Sequence, residues 1–264
     1  MNGAVFRKTL FDARWGILGW GLGLAALAFL VIAFYPTIAE MKEINDIISG
    51  LPPVLKAMVG DIEDFASPEG FLATKLFSML PIVLGVYGIL AGVAAVAGEE
   101  NRGTMDLLMS TPVPRWRVIL EKFAAFVVSV LLILAIMYAG ILIGALLTPE
   151  IDTPPGRLLE ATMNLAPITL CFGSLTFFLS AGLRGRTSAG VVAAVVVVAS
   201  YTLYLFAEMS EALASVVKLT PFYYYGSRTL LDGLAWINVS VFLAVSLMFM
   251  GLSVASFERR DLSV

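Results

Sequence analysis

The chain has no histidine and a single cysteine, and only 14% of its 264 residues are charged. Without histidine the commonest general base and neutral metal ligand are missing, so His-based nucleophile activation and Cys/His zinc sites cannot be built within one chain. Cys171 lies inside an apolar run and has no second thiol to pair with, which leaves the redox compartment undecided. The phosphate loop G-x-x-x-x-G-K-[ST] occurs nowhere. The Gly-rich stretch 182–190, GLRGRTSAG, has neither its spacing nor its lysine. If ATP is used, another polypeptide must bind and hydrolyse it. No basic cluster with interleaved aromatics points to nucleic acid.

What the chain has instead is apolar length. It is 59% hydrophobic with a mean hydropathy of +0.91, far from the profile of a soluble domain. Six runs reach the roughly 20 residues that a bilayer-spanning helix requires: 15–35, 71–97, 118–147, 161–183, 189–207 and 234–257. Only the charged turn RGRT separates the fourth from the fifth, which reads as a tight hairpin. The expected fold is therefore all-α, one polytopic transmembrane domain over 1–264. The first run lacks a small-residue cleavage pattern and reads as an anchor, not a removable signal.

Six crossings place both termini on one side, and the positive charges choose it. With the N-terminus inside, 11 of the 17 Lys and Arg residues fall on inner segments and 6 on outer ones, as the positive-inside rule prefers. The first outer segment, 36–70, is rich in acids and carries Pro52-Pro53, which predicts two short helices around that breaker. At the N-terminus, Phe6, Leu10 and Ala13 share one helical face, and Lys8 and Asp12 stand at an i,i+4 spacing. Residues 1–14 are thus expected to form an interfacial amphipathic helix before the chain turns into the bilayer.

The inner segment 98–117 is the most polar stretch of the middle of the chain. Thr104 can cap a short helix that has Asp106 at its positive end and Met105, Leu107, Leu108 and Met109 as its apolar surface; Pro112 and Pro114 stop it. Two turns are marginal alone, so this helix needs a partner surface. Within the crossings, Lys75 is counted as the one ionisable intrusion, one turn from an outer end. That disfavours an ion-coupled carrier and intramembrane catalysis. Phe77, Ser78, Tyr87, Tyr138, Asn164, Thr169, Ser200, Tyr201 and Tyr204 either line a path or pack against neighbouring helices. Three small-residue pairs, Gly19/Gly23, Gly88/Gly92 and Gly140/Gly144, permit close helix approach.

The order EENRGTMDLLMSTPV over 99–113, followed by PRWRVILEK, resembles the segment between the second and third spans of type-2 ATP-binding-cassette exporter permeases. The resemblance implies that this segment is a coupling helix seated in a groove of a separate ATPase subunit. On that basis Met105, Leu107, Leu108 and Met109 would contact the groove, Glu99, Glu100, Arg102 and Asp106 would set register, and Gly103 and Thr104 would belong to the same coupling motif. It also implies a dimer of six-span subunits, with ATP and Mg on the ATPase and none in this chain. In the outer segment 208–233, PFYYY around Pro221 and Phe222 reads as an interfacial aromatic belt, or, from the family, as a re-entrant outer gate. The expected function is the permease half of an ATP-driven exporter in a prokaryotic cell membrane. A non-transporting scaffold that holds a cytosolic partner and an ATP-independent carrier are the alternatives.

Overall fold

The computed structural model describes residues 3–40, 67–95, 114–183, 186–207, 215–226 and 229–258. Among them ten α-helices follow one another, and there is no strand. They are α1 (Ala4–Glu40), α2 (Pro68–Leu72), α3 (Leu80–Ala95), α4 (Arg115–Leu147), α5 (Pro155–Met163), α6 (Leu165–Gly182), α7 (Arg186–Ala207), α8 (Pro221–Tyr224), α9 (Thr229–Asp232) and α10 (Trp236–Glu258). A π-helical turn, Ala73–Phe77, joins α2 to α3, and a 3-10 turn, Val217–Leu219, precedes α8.

Among the described residues six stretches are long and apolar enough to cross a membrane: Ala4–Thr37, Pro68–Ala95, Arg115–Leu147, Pro155–Gly182, Ser188–Ala207 and Trp236–Glu258. Each coincides with one expected run, and the protein is an all-α multi-pass membrane protein. The short helices expected around Pro52-Pro53 lie outside the described residues.

One expectation is corrected. No turn separates residues 4–14 of the expected interfacial helix 1–14 from the first crossing: α1 is continuous from Ala4 to Glu40. No proline interrupts the chain between Ala4 and Tyr35, and Pro36 comes only near the far end of the helix. Gly16, Gly19, Gly21 and Gly23 weaken the helix without breaking it. The first turn is also held in place, because Glu121 of α4 accepts the backbone N–H groups of Val5 and Phe6. At about 1.5 Å per residue the helix exceeds the hydrocarbon thickness of about 30 Å, so part of it projects along its own axis.

The fourth crossing, α5 with α6, is the centre of the packing. Its most apolar window is 78% buried, against 17% for the fifth crossing and 22% for the sixth. α6 packs chiefly on α3 and α10, and α1 lies along α4. Leu80, Leu84, Ile133, Leu134, Phe172 and Phe177 are fully buried between these helices. Exposed Leu22 and Phe34 on α1, Val195 and Val198 on α7, and Ile237 and Leu247 on α10 form the apolar outer surface that lipid requires.

The glycine pairs divide by use. A Cβ built at Gly140 would stand 2.7 Å from the backbone of Ala25, and one at Gly144 3.0 Å from Ile32, so this pair seats α4 on α1. Gly88 and Gly92 seat α3 on α6, against Thr169, Gly173 and Thr176. Around Gly19 and Gly23 nothing lies within 4 Å.

Candidate functional site

The expected coupling residues, Glu99, Glu100, Arg102, Gly103, Thr104, Met105, Asp106, Leu107, Leu108 and Met109, lie outside the described residues. What the structure shows is their two stems, α3 ending at Ala95 and α4 beginning at Arg115.

The aromatic element at 221–225 is described in detail. Thr220 is extended (φ −87°, ψ 141°), and Pro221 then starts α8, with its fixed φ suited to a first helical turn. Phe222 follows and is only 5% exposed. Its ring centroid lies 5.2 Å from Tyr201, 5.6 Å from Phe172 and 6.4 Å from Tyr204. Tyr201 stands about two turns before the last described residue of α7, and Phe172 about five turns past the start of α5. The four aromatics are not equally exposed: Phe222 and Tyr225 are buried, Tyr224 is half-buried and Tyr223 is exposed.

Three polar supports hold this element, and two of them follow from a local break in a crossing. Pro81 has no N–H, so the carbonyl of Phe77 lacks its intrahelical donor. Tyr225 supplies one, its hydroxyl donating to Phe77 O at 2.9 Å. The second break is at Asn164, between α5 and α6, where the buried side-chain amide donates to Gly226 O at 3.1 Å and to Thr229 Oγ1 at 2.8 Å. Thr229 in turn donates to Gly226 O at 2.6 Å. Finally, Arg157 on the first turn of α5 donates to Leu230 O at 3.3 Å. Together these bonds tie the 221–232 segment to the second and fourth crossings.

The candidate pathway residues separate into groups. Tyr201 and Tyr204 meet at Phe222, and Phe77, 1% exposed, joins through its carbonyl. Tyr87 is elsewhere: its ring stacks on Phe126 at 6.2 Å and meets Trp20 edge-on at 5.7 Å. With Thr9, Asp12, Lys122, Ser129 and Phe177 it lines a part-polar cavity of about 190 Å³ near the stems of segment 96–113. Tyr138 donates to Pro155 O at 3.0 Å and serves the contact between α4 and α5. Thr169 and Ser78 bond the carbonyls of Leu165 and Thr74 on their own helical segments.

The count of ionisable residues in the crossings is also corrected. Glu121 and Lys122 fall within the third crossing, and Lys122 is 3% exposed. They are tolerated because both are bonded and because they precede the uninterrupted apolar run 123–147. Sequence reading placed Tyr225 in the aromatic stretch without its bond to Phe77, and it missed Phe172, against which Phe222 packs. The signal for Tyr225 was the proline four residues after Phe77; for Phe172, an ordinary apolar position, there was none.

The family model described as ABC-2 family transporter protein matches residues 4–262, nearly the whole chain. This chain belongs to the ABC-2 transporter family. Membership agrees with the six crossings and with the resemblance of residues 99–113, and it makes the protein a membrane subunit of the ABC-transporter type. No curated protein matches the chain.

Proposed function

We propose that this ABC-2 family protein is the permease subunit of an ATP-driven exporter. Two copies, or this chain and a homologous permease, surround a path in a prokaryotic cell membrane. Both termini face the cytoplasm, where a separate ATPase subunit binds ATP and Mg. Segment 99–109 seats in that ATPase, with Met105, Leu107, Leu108 and Met109 in its groove. Closure of the ATPases on ATP pulls this segment and switches the permease from inward to outward access.

The observation that carries the reading is the burial of Phe222 among Phe172, Tyr201 and Tyr204, inside the ends of two crossings. A ring at that depth, on a four-residue helix started by Pro221, is suited to be an outer gate. Its polar supports pair the carbonyls of Gly226, Leu230 and Phe77, as a broken segment at membrane depth would require. The apolar wall around it suits a hydrophobic or amphiphilic cargo.

The test is to purify the chain in mild detergent beside Met105→Asp/Leu108→Asp and to identify what co-elutes. A phosphate-loop ATPase with the parent chain and none with the variant supports the reading. Absence of an ATPase from both would overturn it.

A further inference from the structure

Adjacent residues of α4 carry opposite charges and serve different helices. Glu121 Oε2 accepts the N–H groups of Val5 and Phe6, each at 3.1 Å, and Arg117 Nε donates to its Oε1 at 3.0 Å. Lys122 Nζ donates to the carbonyl of Ala95 at 2.6 Å. Val5 and Phe6 belong to the first turn of α1, where N–H groups have no intrahelical acceptor. Ala95 is the last described residue of α3. The carboxylate therefore meets the positive end of α1, and the ammonium meets a backbone carbonyl of α3.

Packing gives the lysine bond its importance. α4 lies along α1 and α3 lies along α6, while α3 and α4 touch each other little. Yet α3 and α4 are the two stems of segment 96–113. A load entering through that segment reaches stems that rest on different neighbours, and Lys122 is a buried polar strap between them. Glu121 adds α1 to the same point.

We propose that the Glu121–Lys122 pair is the joint through which the inner ends of α1, α3 and α4 respond together to a pull on segment 96–113. The inference rests on the export reading given above. Both are positioning residues, since they act by holding helix ends and not by touching nucleotide or cargo. The sign of each charge matters, because the carboxylate accepts N–H groups of α1 and the ammonium donates to a carbonyl of α3.

The experiment uses the intact complex with its bound ATPase in nanodiscs, with Tyr223→Cys as reporter. Tyr223 is 46% exposed on the aromatic element, and the native thiol, Cys171, is 5% exposed. Two quantities are read: ATP turnover, and the rate of modification of the reporter by an impermeant maleimide with and without ATP. In the parent complex ATP raises the modification rate about fivefold or more, as expected when a minor outward state of about 10% becomes a major one. Lys122→Met is expected to keep ATP turnover within about twofold while the ATP-dependent rise in modification is lost; loss of mere stability would instead lower recovery and both readouts together. Lys122→Arg restores the rise. The charge swap Glu121→Lys/Lys122→Glu does not, although net charge is unchanged. Glu121→Gln carries the same test should the Lys122→Met complex not assemble.

A Lys122→Met or swapped complex with the parent's ATP response would overturn the joint. A parent complex without an ATPase, or without any ATP response at the reporter, would instead defeat the export reading, and the joint with it.

Discussion

The hydroxyl of Tyr225 donates to the carbonyl of Phe77 at 2.9 Å, the carbonyl that Pro81 leaves without a helical donor. One residue thus closes a break in the second crossing and anchors the aromatic element. Tyr225→Phe keeps the ring and removes the donor. We expect a loss of about 1–2 kcal/mol, the range for a buried bond whose acceptor is left unsatisfied in a membrane protein. Thermal unfolding in detergent measures it; an unchanged midpoint would show that the bond carries no load.

Phe222→Ala removes a ring with three aromatic neighbours, each pair contributing about 0.5–1.5 kcal/mol. If the ring closes the outer side, a cysteine placed at Tyr201 becomes several-fold more reactive toward an impermeant maleimide in the resting protein. Phe222→Trp should leave the reactivity low. Equal rates in all three would place the closure elsewhere.

Asn164→Leu deletes the donor to Gly226 O and Thr229 Oγ1 and keeps the number and branching of the side-chain heavy atoms. Hydrogen exchange should rise in residues 229–232 and stay near the parent's in α4. Protection that remained high in α9 would mean that the Arg157–Leu230 bond suffices alone.

Gly140→Ala and Gly19→Ala form a matched pair. The first places a methyl group against the backbone of Ala25, which cannot yield as a side chain would, and should cost about 1–3 kcal/mol. The second meets nothing within 4 Å and should stabilise the single chain by up to about 1 kcal/mol, because Ala suits a helix interior better than Gly. A drop in dimer mass with Gly19→Ala, at an unfolding temperature no lower than the parent's, would assign the Gly19/Gly23 face to a second copy.

How much was legible depends on the physical term involved. Crossings are set by transfer of long apolar runs out of water, a quantity summed along the chain, so all six were readable from run length and composition alone. The continuity of α1 was not. Lys8, Asp12 and Arg14 suggested an interfacial helix, but what holds residues 4–14 on the axis of the crossing is a carboxylate 115 residues away. The aromatic element was visible as PFYYY, whereas its seat was not, because Phe172 looks like any apolar residue of a buried helix.

The sequence by itself determined that this is a six-crossing, all-helical membrane protein without its own phosphate loop, and it marked residues 99–113 and 221–225 as the unusual stretches. Only the tertiary structure decided which glycine pairs are spent inside the chain, that Phe222 is buried among Phe172, Tyr201 and Tyr204, and that Glu121 and Lys122 bond different helices. The reason is one of range. Hydropathy and periodicity are local sums, but a hydrogen bond or a ring contact between residues far apart depends on which helices become neighbours, and no single stretch of chain carries that information.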